Sequence, residues 1–100
     1  MFAMEHAMVQ VIENRADIEG RVLGVAPIAE RPDHRLVTID VSGVSPVEGY
    51  ANLFASAAGT RLDVILPAAS AEVLKAGANV ACRIRRGGPT VVIGDHCVAR

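Results

Sequence analysis

The sequence predicts a mainly β domain, a five-stranded Greek-key barrel with one short helix between strands 3 and 4, and three observations carry that reading. Apolar and polar residues alternate in runs bounded by Gly and Pro, the two-residue period of a half-buried strand. Gly20 and Gly24 share one face of the first run, where missing side chains let a sheet coil sharply or another backbone come close. Ser70 stands before Ala71-Glu72-Val73-Leu74-Lys75-Ala76-Gly77, with an N-cap hydroxyl, an early acid, a late Lys and a closing Gly, the pattern of a short helix.

From Asp17 to Ile28, the residues Ile18, Val22, Ala26 and Ile28 fall on the glycine face, with Glu19 and Arg21 on the other; this is the first strand. Arg31-Pro32-Asp33-His34 supplies the turn, because Pro presets φ and Asp bonds the backbone ahead. Arg35 to Val41 alternates Val37, Ile39 and Val41 against Leu36, Thr38 and Asp40, which makes a second, antiparallel strand.

Ser42 to Gly59 is a long loop or an extra hairpin, holding Val44, Val47, Tyr50, Leu53 and Phe54 between Gly and Pro residues. Tyr50 and Phe54 are two of the three aromatic residues of the chain, and the expectation is that they pack over a barrel mouth. Thr60 to Leu66 forms the third strand, with Leu62, Val64 and Leu66 inward, and Pro67 ends it. After the helix, Val80, Cys82 and Ile84 alternate with Ala81, Arg83 and Arg85 in a fourth strand. Arg86-Gly87-Gly88-Pro89 turns, and Thr90 to Ile93 returns as the fifth. Residues 17–100 are thus one barrel domain, and residues 1–16 an N-terminal segment left open between helix and disorder.

This order matches the five-stranded barrel known as the OB-fold. Within that group, the stretch from Ser70 through Leu74, Gly77 and Val80 to Ile84 resembles the end of the TOBE and molbindin domains, and Gly20-Arg21-Val22 resembles their opening strand. The resemblance implies molybdate binding or the capping of a transporter ATPase. The chain departs from those domains in the length of Ser42 to Gly59 and in Arg85-Arg86-Gly87-Gly88, where they carry a small polar stretch.

Composition bounds the function. Hydrophobic residues make up 51% of the chain against 21% charged, more apolar than a monomer of this size needs, so a homo-oligomer or a protein partner is expected. A net charge of -1 provides no long-range field for phosphate backbones, so nucleic acid is not favoured. The start of the chain has Glu5 and His6 where a signal peptide would be apolar, and no run is long enough to span a bilayer; a cytoplasmic protein without membrane contact is expected. Cys82 and Cys97 are expected to be reduced, buried thiols.

No acid, base and nucleophile stand at catalytic spacing, and no ligand pair at metal spacing, so neither enzyme nor cofactor nor metal is implied. His96 and Cys97 are adjacent and fall on opposite faces of a continuing strand. The candidate binding residues are Arg83, Arg85 and Arg86, with Arg61 and Arg21 on the same kind of face, Ser70 at the helix start, and Tyr50 and Phe54 in the loop. Two or more guanidiniums in alternation could meet an anion, while the aromatic residues could stack bases. The leading expectation is a non-catalytic binding or assembly module. A small oxyanion binder and a single-stranded nucleic acid binder using the arginine face are the alternatives.

Overall fold

The computed structural model describes residues 13–100. Five strands, β1 (Ala16–Pro27), β2 (His34–Pro46), β3 (Arg61–Pro67), β4 (Asn79–Gly88) and β5 (Val91–Ala99), close into a barrel in the order β1-β2-β3-β5-β4. One short helix, α1 (Ala68–Ala71), joins β3 to β4. The Greek-key, OB-like barrel expected from the sequence is therefore the fold. Its ladders are antiparallel except for the β3–β5 seam, a parallel contact of Ile65 with Ile93.

The core follows the two-residue period. Ile18, Val22, Val37, Ile39, Val41, Val64, Leu66, Val80, Cys82 and Ile84 are all buried, drawn from alternate positions of four strands. At about 25 cal/mol per Å² of apolar surface removed from water, each fully buried Ile or Leu contributes on the order of 2 kcal/mol. At Gly20 another backbone comes close: a Cβ built there lies 2.2 Å from the Asp40 carbonyl oxygen, so any side chain would push two backbones apart. Gly24 meets no such neighbour.

Four bulges adjust the ladders, one of them at Gly87, the extra residue of β4 between Arg86 and Gly88. Ser42 is the extra residue of β2 opposite Glu19 and Gly20, Leu23 the extra residue of β1 after Val22, and Asp95 the extra residue of β5 opposite Arg83 and Ile84.

The structure corrects the sequence reading in several places. β2 runs on to Pro46, so the connecting loop begins at Val47 and not at Ser42. Ser42 to Pro46 reads as turn chemistry, yet it pairs with Asp17 to Glu19 and neighbouring residues of β1, and the Ser42 hydroxyl donates to the Glu19 carbonyl at 3.1 Å. The helix is one turn, begins after Pro67, and has no side-chain cap; Ser70 lies inside it. It stops because the segment changes partners. Gly77, at φ +91°, donates to the Val22 carbonyl at 2.7 Å, and the Val22 N–H donates to Ala78 O at 2.9 Å, so β1 takes the backbone groups that a longer helix would have kept.

Likewise β4 continues through Arg86 and Gly87 to Gly88, and β5 continues to Ala99. Cys82 and Cys97 are not separate thiols: they face each other across β4 and β5, with Cα atoms 4.0 Å apart, and form a disulfide. Direct cross-strand opposition places the two sulfurs together, a relationship fixed by hairpin register and invisible in a spacing of 15 residues. His96 is exposed opposite Arg83, on the other face from Cys97, as alternation requires.

The expectation of a helical or disordered start lies mostly outside the described residues. From Asn14 onward the chain is part of the barrel: Asn14 bridges to Ala51 and Ala16 opens β1. Among the described residues, no helix is long and apolar enough to cross a membrane.

Candidate functional site

The loop from Val47 to Thr60 folds over one end of the barrel. Phe54 is buried at 2% exposure, its N–H accepted by the Asn52 side chain at 2.9 Å, and Ala57 and Thr60 N–H groups continue the turn. The expected packing of this loop over a barrel mouth holds for Phe54, while Tyr50 stays partly exposed at 38%.

Two arginines lie over the two rings. The Arg86 guanidinium stands 4.9 Å from the Phe54 ring centroid and Arg15 stands 5.0 Å from that of Tyr50, both within cation–π range. Arg86 also donates to the Pro89 carbonyl at 3.2 Å. Beside them, Asp95 takes Arg85 Nε on Oδ1 at 3.1 Å and Arg15 Nη1 on Oδ2. Asp95 is exposed on β5, outward like Ile93 in the alternation with buried Val92 and Gly94, and reaches Arg85 on the neighbouring β4 and Arg15 just before β1. The Arg15 guanidinium is held above its ordinary value, first by the Tyr50 phenol and then, beyond the opposing effect of burial, by Asp95. Glu13, Arg15, Tyr50, Arg85, Arg86 and Asp95 line an open concavity of about 350 Å³.

Of the sequence-predicted candidates, Arg85, Arg86 and Tyr50 line this concavity, and Phe54 is buried under the Arg86 guanidinium. Arg83, Arg61 and Ser70 are not part of the group. Arg83 points to the same side of β4 as Arg85 but is held by Asp17 of β1, through Nε at 2.8 Å and Nη2 at 3.1 Å. That pair keeps the Asp17 carboxyl below and the Arg83 guanidinium above their ordinary values. Arg61 stands opposite Asp40 at the start of β3, and Arg21 opposite Asp40 and Asn79 on β1. Ser70 sits in α1, which is tied to the β1–β2 turn by Ala68 N–H donating to Asp33 O at 2.8 Å.

Sequence reasoning missed Asn14, Arg15 and Asp95. Extending the β1 alternation back from Ile18 through Ala16 would have placed Arg15 and Asp17 on the outer face together, and both meet an arginine or carboxylate of the β4–β5 hairpin. Asp95 lies beyond Ile93, where the sequence reading ends the fifth strand, and alternation continued from Val92 through Gly94 turns it outward.

A second, larger concavity of about 760 Å³ lies between β1, β2 and β4, lined by Glu19, Gly20, Arg21, Asp40, Asn79 and Arg100 among others. Its charges alternate in sign, and Arg100 pairs with Glu19 at 3.3 Å, so it favours no ligand charge.

A different feature marks the far end of β1. Pairing with β4 stops at Arg21 and Asn79, apart from the Val22 contacts to Gly77 and Ala78, so Gly24 to Pro27 pair with β2 alone. Among the described residues this leaves one edge of β1 without a neighbouring strand. Leu23, turned out by its bulge, is 40% exposed and Val25 is 39% exposed. Val73, the most exposed large apolar side chain among the described residues at 64%, belongs to the segment that meets the base of this edge through Gly77. Compared with known family models, curated proteins and solved structures, the chain matches none.

Proposed function

We propose that this protein is a non-catalytic assembly module that joins a second copy of itself through the free edge of β1. The observation that carries the reading is the stretch Gly24 to Pro27, paired on one side only among the described residues, with the bulged Leu23 and Val25 exposed along it. An unpaired strand edge is a template for another strand, and natural edges are ordinarily blunted by charges. This one carries none between Leu23 and Pro27, so two copies can approach antiparallel about a two-fold axis without opposing like charges. Pro27, which has no N–H, and the α1–β4 segment at Gly77 bound the edge, so a second copy of the same short strand fits it and a longer one does not. The apolar surplus of the composition agrees with a surface that another chain covers.

The arginine face supports nucleic-acid binding less well, since Arg83 is paired with Asp17 and Arg61 stands apart from Arg85 and Arg86 at the start of β3. The likeness to TOBE and molbindin domains offers oxyanion binding, but Ser70, the helix-cap donor in that reading, lies inside a single turn.

Light scattering over a wide concentration range tests the assembly. The expected result is a closed dimer that Val25→Lys converts to a monomer with an unchanged circular dichroism spectrum. A single-chain mass at the highest concentration overturns the proposal, and so does an open-ended series of larger species.

A further inference from the structure

We infer that the concavity between the start of β1, the Tyr50 loop and the β4–β5 hairpin is a binding site for a phosphate monoester, read by Arg15, Arg85 and Arg86. It lies roughly 25 Å along β1 from the free edge, at about 3.3 Å per residue, and is independent of the assembly. Three guanidinium groups line it, two of them, Arg15 and Arg85, paired with one carboxylate, Asp95, and Glu13 also lines the concavity. Asp95 accepts one N–H from Arg15 and one from Arg85, and Arg86 donates one to Pro89 O. A guanidinium carries five N–H donors, so most of the donors of all three remain for a ligand.

Charge and shape select the ligand class. The site holds three positive groups against two negative ones in a chain whose net charge is -1, so it is a local cationic concentration. A single carboxylate would add only what Asp95 already supplies. A phosphate monoester brings two charges and three terminal oxygens, which suits three guanidinium forks. The ion pairs and the stacking over Tyr50 and Phe54 hold these forks in place beforehand, which reduces the ordering cost of binding. The volume of about 350 Å³ suits a small esterified molecule.

Tyr50 makes the site observable. It is the sole tyrosine of a chain without tryptophan, so the intrinsic emission of the protein comes from this one concavity. Titration of the full chain with glycerol phosphate should give a saturable change in tyrosine emission, with inorganic phosphate weaker. Arg85→Gln should weaken binding roughly tenfold or more, the effect of losing a charge-assisted hydrogen bond. Arg85→Lys, which keeps the charge and removes the fork, should lose most of the affinity as well, and Arg61→Gln should bind as the parent does. Because Arg15→Gln also releases the ring of Tyr50, Arg85 carries the test and circular dichroism checks each variant. An identical emission change with sodium chloride at matched ionic strength overturns the inference. So does an affinity within twofold of the parent in Arg85→Gln, or tighter, steeply salt-dependent binding of a single-stranded oligonucleotide.

Discussion

The side-chain amide of Asn14 exchanges two hydrogen bonds with the backbone of Arg86: its Oδ1 accepts the Arg86 N–H at 2.7 Å and its Nδ2 donates to the Arg86 carbonyl at 3.2 Å. Asn14 is 5% exposed and therefore behaves as an extra residue of β1, extending the β1–β4 ladder past Ala16 and Ile84 with a side chain in place of a backbone. Arg15 N–H donates to Ala51 O at 3.1 Å, so the same short segment also pins the loop. Asn14→Ala strips partners from two backbone groups in a part-buried setting, each costing about 1 to 3 kcal/mol. Chemical denaturation should show a loss of about 2 to 4 kcal/mol for this variant. Asn14→Asp should do similar harm, since a carboxylate oxygen would then face the Arg86 carbonyl. A loss below about 0.5 kcal/mol would mean that water replaces the amide without cost.

Gly20 and Gly24 look equivalent in the sequence and should behave oppositely. A Cβ at Gly20 would lie 2.2 Å from Asp40 O and 2.9 Å from Ile39 Cγ2, so Gly20→Ala forces backbone movement. The expected destabilisation is about 2 to 3 kcal/mol, the range of overpacking with backbone shift. Gly24→Ala meets nothing within 4 Å and reduces the freedom of the unfolded chain, so it should be neutral or stabilising by up to about 1 kcal/mol. Thermal melts of the two variants side by side decide the point, and equal melting temperatures would show that the β1–β2 approach is not as close as described.

How much was legible in the sequence follows from the same contrast. Alternation located Val37, Ile39, Val41, Val64, Leu66, Val80, Cys82 and Ile84 correctly because half-buried strands must alternate, whatever their partners. The barrel order followed from counting strands around the helical turn. What failed depended on partners distant in the chain. Ser70 to Gly77 has good helix chemistry, but Val22 offers Gly77 and Ala78 hydrogen bonds that no local pattern reveals. Ser42 to Pro46 has turn chemistry, but β1 offers it a ladder. In the candidate site, Arg85, Arg86, Tyr50 and Phe54 were legible as residue types suited to binding. Arg15 and Asp95 were not, the first because the first strand was started too late and the second because the last strand was ended too early.

The Asp17–Arg83 pair gives a pH prediction of defined sign. Hydrogen bonding from Arg83 lowers the Asp17 pKa in the folded state from the ordinary 3.8. A depressed carboxyl contributes stability that is present above its unfolded pKa and lost as pH falls through the folded value, so the pair should matter near neutrality and vanish in strong acid. Both side chains are nearly half exposed, at 46% and 44%, so solvent screening keeps the contribution within about 1 kcal/mol. Arg83→Gln should return the Asp17 pKa upward, read by NMR titration of its carboxyl carbon. An Asp17 pKa that does not move in the variant would show that the pair is not formed in solution.

The disulfide between Cys82 and Cys97 makes the strongest claim on stability. β5 is held by its ladder with β4 and by the single parallel contact of Ile65 with Ile93, and the residues beyond Asp95 pair with β4 alone. The bond closes 15 residues, for which loop-closure entropy alone stabilises by about 3 kcal/mol. Cys82 is 3% exposed, so a thiol reagent added to the folded protein should find no reactive group, and denaturation without reductant should release none. Denaturation with reductant should release two thiols and lower the melting temperature markedly. Replacing both residues by Ala should reproduce the loss, and in hydrogen exchange the amides of His96 to Ala99 should open before those of β1 and β2, because only the β4 ladder then retains them. Two thiols titrating in the protein as isolated, with no change in stability on reduction, would show that the facing cysteines pack as separate side chains and that register alone holds β5 in the barrel.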